Sequence, residues 1–158
     1  MYDRKKAVEY AYKWWNKRNP SFFNYDYYGG DCTNFISQCL LAGGINMDSS
    51  SKMGWYYNNS YDRSYSWTGV NEFFKFSVNN SGMFGPKVKK VTVKEVEVGD
   101  IVQLVQYGEV FHHNLLITKI VGENVYENIL LTCHTFDVKD KKLSDYVIKD
   151  IRFLKVLN

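Results

Sequence analysis

Cysteine and histidine are scarce in this chain, and each scarcity narrows what it can be. Three cysteines, Cys32, Cys39 and Cys133, make an odd count without framework spacing, which argues against a disulfide scaffold. There is no Cys-x-x-Cys pair and no His-x-x-x-His helix, so zinc has no sequence support and neither a metal nor an organic cofactor is expected. No apolar run approaches the roughly 20 residues a membrane-spanning helix needs. A continuous basic face is also missing. Lys+Arg number 20 against 17 Asp+Glu, a net charge of +3. The short clusters Lys87, Lys89, Lys90 and Lys139, Lys141, Lys142 read as solvated turns, so nucleic acid is not an expected partner. Met1-Tyr2-Asp3-Arg4-Lys5-Lys6 leads straight into a helical pattern without the apolar centre of a signal peptide. Repeats, low-complexity tracts and linkers are absent, and 158 residues fit one domain, 1–158.

What is abundant is aromatic: 17% of residues, with Tyr 13, Phe 10 and Trp 4. Most of this surplus belongs in a core, with a minority free to line a groove for peptide or sugar. The chain is otherwise ordinary for a globular protein, 45% hydrophobic and 23% charged.

One stretch organises the rest, Gly29-Gly30-Asp31-Cys32-Thr33-Asn34-Phe35-Ile36-Ser37-Gln38-Cys39-Leu40. Two glycines permit a tight approach, Asp31 is a good N-cap, and Phe35, Ile36, Cys39 and Leu40 recur at helical spacing. Gly43-Gly44 stops the helix. Cys32 thereby falls in the first helical turn, where the helix dipole favours a thiolate with a depressed pKa. Cys39 lies mid-helix among apolar neighbours and reads as core, as does Cys133.

Around this stretch the spacing predicts a first helix over about Asp3–Arg18, ended by Asn19-Pro20. Residues 46–66, rich in Ser, Asn, Tyr and Gly, read as an irregular excursion, and Trp67 to about Val78 as a helix. From Val88 the period moves towards two. Strands are expected at 91–93, 101–105, 111–121, 125–135 and 153–157. Helices first and antiparallel strands second define an α+β class. All three histidines, His112, His113 and His134, fall in two successive strands. Alternation puts His112 and His113 on opposite faces, and hydrophobicity does not choose between them. A symmetric hairpin about Gly122-Glu123 would set His113 opposite His134, unless a bulge shifts the register.

Asp31-Cys32-Thr33-Asn34-Phe35-Ile36-Ser37-Gln38-Cys39-Leu40-Leu41-Ala42-Gly43-Gly44 resembles the nucleophile motif of the putative amidase domain family, grouped with papain-like cysteine hydrolases near the NlpC-type and CHAP cell-wall enzymes. Ala7-Val8-Glu9-Tyr10-Ala11 and Trp14-Trp15-Asn16 are similar to its first helix. Looser similarity runs through Trp67, Val98-Gly99-Asp100, His113-Asn114-Leu115-Leu116-Ile117-Thr118 and His134-Thr135. The approach Tyr107-Gly108-Glu109-Val110-Phe111-His112 departs from the Gly/Asp-rich pattern often preceding the family's histidine.

The resemblance implies a papain-like fold with the nucleophile at a helix N-terminus packed on a C-terminal antiparallel sheet. It implies Cys32 as nucleophile, His113 as general base and His134 as the residue orienting it, with Asn128 and Asp137 as fallback orienters. It also implies that residues 46–66 wall one side of the cleft. The expected activity is hydrolysis of an amide through a thioester, with peptide or peptidoglycan as substrate and action outside the cell if the protein is exported. A non-catalytic peptide- or glycan-binding module on the same fold is the alternative.

Overall fold

The computed structural model describes residues 1–158. Asp3 caps helix α1 (Arg4–Trp14) by accepting the Lys6 amide, and Ala7 and Ala11 bury its inner stripe completely. The helix is one turn shorter than its apolar spacing suggests. The Trp14 carbonyl takes the Lys17 amide in a tight turn and also a bond from His134 Nε2.

Helix α2 (Cys32–Ala42) is buried on every side from Cys32 to Leu40. Its polar members survive this because each is satisfied by hydrogen bonds. Asn34 Nδ2 donates to the Phe23 carbonyl and to Asp31, and its Oδ1 accepts Trp67 Nε1. Ser37 donates to the Trp67 carbonyl and accepts Trp55 Nε1, and Gln38 accepts the Tyr10 hydroxyl. Gly44, at φ 92°, ends the helix in the left-handed region.

The helix expected from Trp67 is two helices, α3 (Tyr65–Thr68) and α4 (Val70–Asn79), divided at Gly69, whose extended backbone caps the second. Residues 46–66 are ordered by isolated bridges Asp48↔Trp55 and Tyr57↔Arg63 and by the fully buried Trp55.

Six strands follow: β1 (Val88–Val91), β2 (Ile101–Val105), β3 (His113–Ile120), β4 (Ile129–Cys133), β5 (Val138–Lys142) and β6 (Asp150–Val156). They form one antiparallel sheet in the order β1-β6-β2-β3-β4-β5, so the class is α+β with the helices first. Sequence spacing missed β5, whose lysines read as a turn. The strand expected at 153–157 is β6, which begins earlier, at Asp150, and lies between β1 and β2. Val93–Glu95 is not a strand but a single 3-10 turn held by a Thr92–Glu95 capping box.

The two faces of the sheet bury different cores. Ile101, Leu116 and Leu154 pack under Phe35, Ile36 and Leu40 of α2, while Val102, Leu115, Ile117, Leu131, Cys133 and Phe153 pack on the opposite side with Leu143. Arg4 ties α1 to the sheet through the fully buried Asp100 at 2.7 Å and the Val156 carbonyl at 2.9 Å. No helix is long and apolar enough to cross a membrane.

Candidate active site

Gly29 and Gly30 enter α2 with φ of 93° and 96°, a conformation other residues adopt only under strain. A Cβ on Gly30 would also meet Thr135 Oγ1 at 3.3 Å, so this turn lies directly against the segment after β4. Cys32 is the first residue of α2 and lines a cavity of about 170 Å³ together with Gln106, Tyr107, His112, His113, Thr135 and Phe136. Its Sγ lies 3.8 Å from Thr33 Oγ1 and 3.9 Å from the His112 carbonyl.

The helix-dipole reading of a depressed thiol pKa is corrected here. Cys32 is buried, and burial raises the pKa, outweighing the hydrogen bonds from the Asn114 and Thr33 backbone and the Thr33 hydroxyl that lower it. The resting group is a thiol. Cys39 and Cys133 are both fully buried among apolar side chains.

His113 opens β3 and is 6% exposed. It shares the Cys32 cavity but makes no hydrogen bond to Cys32; its Nε2 lies 3.5 Å from Cys133 Sγ. Burial, then the neighbouring His112 and Lys141, push its pKa down to about 4. At neutral pH it is an uncharged imidazole. His112, half-buried just before the strand, stacks on Tyr107 at 4.1 Å between ring centroids and sets Nδ1 3.1 Å from the Val110 carbonyl. Its Nε2 is buried without a partner.

The structure does not bring His134 to His113. The β3–β4 register runs Leu116↔Thr132 and Ile117↔Leu131, then shifts by one between Ile117 and Lys119. The symmetric-hairpin pairing fails because of that bulge, and His134 falls on the other face of the sheet from His113. There it stacks on Phe35 at 3.9 Å, with Nδ1 2.6 Å from Asp31 Oδ2 and Nε2 2.8 Å from the Trp14 carbonyl. The fallback orienters lie elsewhere too. Asn128 donates to the Glu123 carbonyl in the hairpin turn, and Asp137 accepts from Arg18. Residues 46–66 contribute nothing to the Cys32 cavity. With α4 they border a separate cavity of about 620 Å³ lined by Asp48, Lys52, Met53, Glu72 and Phe76.

Asp31 acts as a hub instead of a helix cap; its side chain makes no capping bond. Oδ1 accepts the Tyr25 amide and Asn34 Nδ2, and Oδ2 accepts His134, all within 2.9 Å. A fully buried carboxylate with this many donors fixes the loop that delivers Cys32. Behind Cys32 runs a second buried chain that sequence reasoning missed. Asn114 donates to Thr33 Oγ1 and accepts Gln103 Nε2, Gln103 accepts Arg152 Nε, and Arg152 donates to Asn71. The Arg152 guanidinium is sandwiched between Phe74 at 3.6 Å and Phe111 at 4.0 Å. The only advance signal was polar residues at the buried strand positions Gln103 and Asn114. Thr135 and Phe136 were likewise unforeseen as strained, at φ 65° and 55°, with Phe136 92% exposed at the cavity mouth. No three His, Cys, Asp or Glu side chains converge with metal-holding geometry.

A helix-borne cysteine and a strand-borne histidine share one cavity of this α+β fold. The chain belongs to the family described as a putative amidase domain, which it matches over residues 1–156. It is 37% identical over 141 residues to an uncharacterized Bacillus subtilis (strain 168) protein named YhbB, a match covering 87% of this chain and 42% of that protein. The chain thus spans about two fifths of the length of the curated relative it matches. No solved structure matches it.

Proposed function

We propose that the chain is a cysteine-dependent amidase or peptidase of papain-like design that cleaves an amide in cell-wall peptide through a thioester. The observation carrying this reading is that Cys32, at the head of α2, and His113, at the head of β3, line one small cavity. Thiol and imidazole both rest uncharged. On substrate binding His113 takes the Cys32 proton as the sulfur attacks the carbonyl carbon. The Cys32 amide and the side-chain amide of Gln106, which lines the cavity and has no hydrogen-bond partner in the protein, stabilise the oxyanion. Collapse expels the amine, which leaves with the proton from His113. Water then attacks the thioester, His113 receives its proton, and the acid and free thiol are released. Tyr107 and Phe136, 73% and 92% exposed at the rim, offer flat apolar surface to the substrate flanking the scissile bond.

His112 supports a second reading of the base, because its Nε2 is buried and unpartnered on the same cavity. Site-resolved iodoacetamide alkylation across pH, run beside cleavage of peptidoglycan fragments, tests both. Cys32 is expected to react faster than Cys39 and Cys133, with the rate falling at least about tenfold in His113→Ala. A fall confined to His112→Ala transfers the base to His112. An inert Cys32 overturns the enzymatic reading, and peptide binding without turnover then points to a binding module.

A further inference from the structure

A base acts only if one ring nitrogen keeps its lone pair for the nucleophile while the other is protonated and held. His113 has a single hydrogen-bond partner in the protein, Cys133 Sγ at 3.5 Å from Nε2, and its Nδ1 has none. Cys133 is fully buried, and its sulfur lies 3.8 Å from Tyr146 Oη. Tyr146 in turn lines a cavity of about 210 Å³ that also reaches His113 and Lys141.

We propose that Cys133 and Tyr146 are the positioning residues for His113, holding it as the Nε2–H tautomer so that Nδ1 presents its lone pair to the Cys32 cavity. This rests on the reading of His113 as the base.

Three groups in a row can align their hydrogens in two directions. In the first, Tyr146 donates to Cys133 and Cys133 donates to Nε2, which leaves Nδ1 protonated and unable to accept from Cys32. In the second, Nε2–H donates to Cys133 and Cys133 donates to Tyr146, which leaves Nδ1 free. Tyr146 lines an open cavity, and a hydroxyl that gives its own hydrogen to solvent there leaves its oxygen to accept from Cys133. Burial keeps the intermediates of this relay protonated: it pushes the Cys133 thiol up to about 12 and raises the Tyr146 hydroxyl further. A sulfur in this place fits its surroundings. It packs with Leu115, Ile117 and Leu131 as a small apolar residue while still offering one weak donor and one weak acceptor. A carboxylate there would have to be desolvated in the same apolar layer.

Long-range proton–nitrogen NMR at pH 7 reads the His113 tautomer directly, with its signals assigned by their loss in His113→Gln. The wild type is expected to show Nε2–H, Cys133→Ser to retain it, and Cys133→Ala to show a mixture of tautomers. Cys32 alkylation should slow about tenfold in Cys133→Ala and recover in Cys133→Ser, as happens when an outer partner of a working histidine is removed. Tyr146→Phe, which leaves the buried layer untouched, should shift the tautomer in the same direction and covers the case in which Cys133→Ala does not fold. An Nδ1–H tautomer in the wild type, or a tautomer unmoved by both Cys133→Ala and Tyr146→Phe, overturns the proposal. The catalytic reading fails separately: Cys32 alkylation unchanged in His113→Gln removes His113 as base whatever its tautomer.

Discussion

His134 and His113 are both buried, one on each face of the sheet, and they are held in opposite ways. His134 meets a carboxylate at 2.6 Å and a helix-end carbonyl at 2.8 Å, under a stacked phenyl ring. Each ring nitrogen faces an acceptor, which fixes the orientation of the ring. His113 has one soft partner at 3.5 Å and an open cavity on its other side. Two residues of one type, one at the head of β3 and one just after β4, are thus held loosely and firmly respectively. The difference lies in what surrounds each ring. Saturating strong acceptors fix a histidine, and a single weak partner beside a cavity leaves it free to exchange protons.

The comparison breaks most sharply at turnover. Cys32→Ala should abolish amide cleavage by at least about 10³-fold while leaving the thermal transition in place, measured by activity and calorimetry on the same sample. A variant that still turns over would remove Cys32 from the chemistry. His134→Ala should act on the other quantity, costing about 2 kcal/mol of stability in urea unfolding because it removes the hydrogen bond to the buried Asp31 Oδ2 and the ring stacked on Phe35. If it instead abolished turnover at unchanged stability, His134 would have to be reassigned as part of the mechanism.

His113 should reveal itself in the pH dependence of stability. Its pKa is pushed from 6.5 down to about 4 in the folded protein, so between these values the unfolded chain binds the proton and the folded one does not. The contribution is therefore full above pH 6.5 and lost progressively as pH falls towards 4. It amounts to about 3 kcal/mol at most. Urea unfolding at pH 7 and pH 4.5 should show this slope, and His113→Asn should flatten it. An equal slope in the variant would mean that other groups carry the acid sensitivity.

The smallest effect is at Phe136, held at φ 55° with its ring in solvent. Phe136→Gly relieves a left-handed backbone without losing packing and should raise stability by about 1 kcal/mol while weakening substrate binding. A destabilised variant would show that the ring is packed after all.

Much of this was legible in the chain itself. The Gly-Gly turn and the helix begun by Cys32 follow from local backbone preference and periodicity. What was hidden depends on register. A single bulge between Ile117 and Lys119 decided that His134 would serve Asp31. The buried chain through Asn114, Gln103 and Arg152 joins the β2–β3 pair to β6, with Gln103 and Arg152 49 residues apart, and no local pattern reports such a joint. Asp31 looked like a cap because aspartate favours that position, but tertiary donors claimed both of its oxygens. The strand β5 was obscured by its lysines, which suit an edge strand as well as a turn.

The position of β6 has a consequence for how the protein comes into being. It inserts between β1 and β2, so a growing chain carries two open sheet edges until its last strand emerges from the ribosome. Arg152 travels on that strand, and through Gln103 and Asn114 it backs the residue beside Cys32. The support behind Cys32 is therefore completed only when β6 joins the sheet, and until then the cysteine lacks the frame that holds its helix in place. Pairings between such distant segments also make folding slow, so the surroundings of Cys32 are expected to form late and all at once.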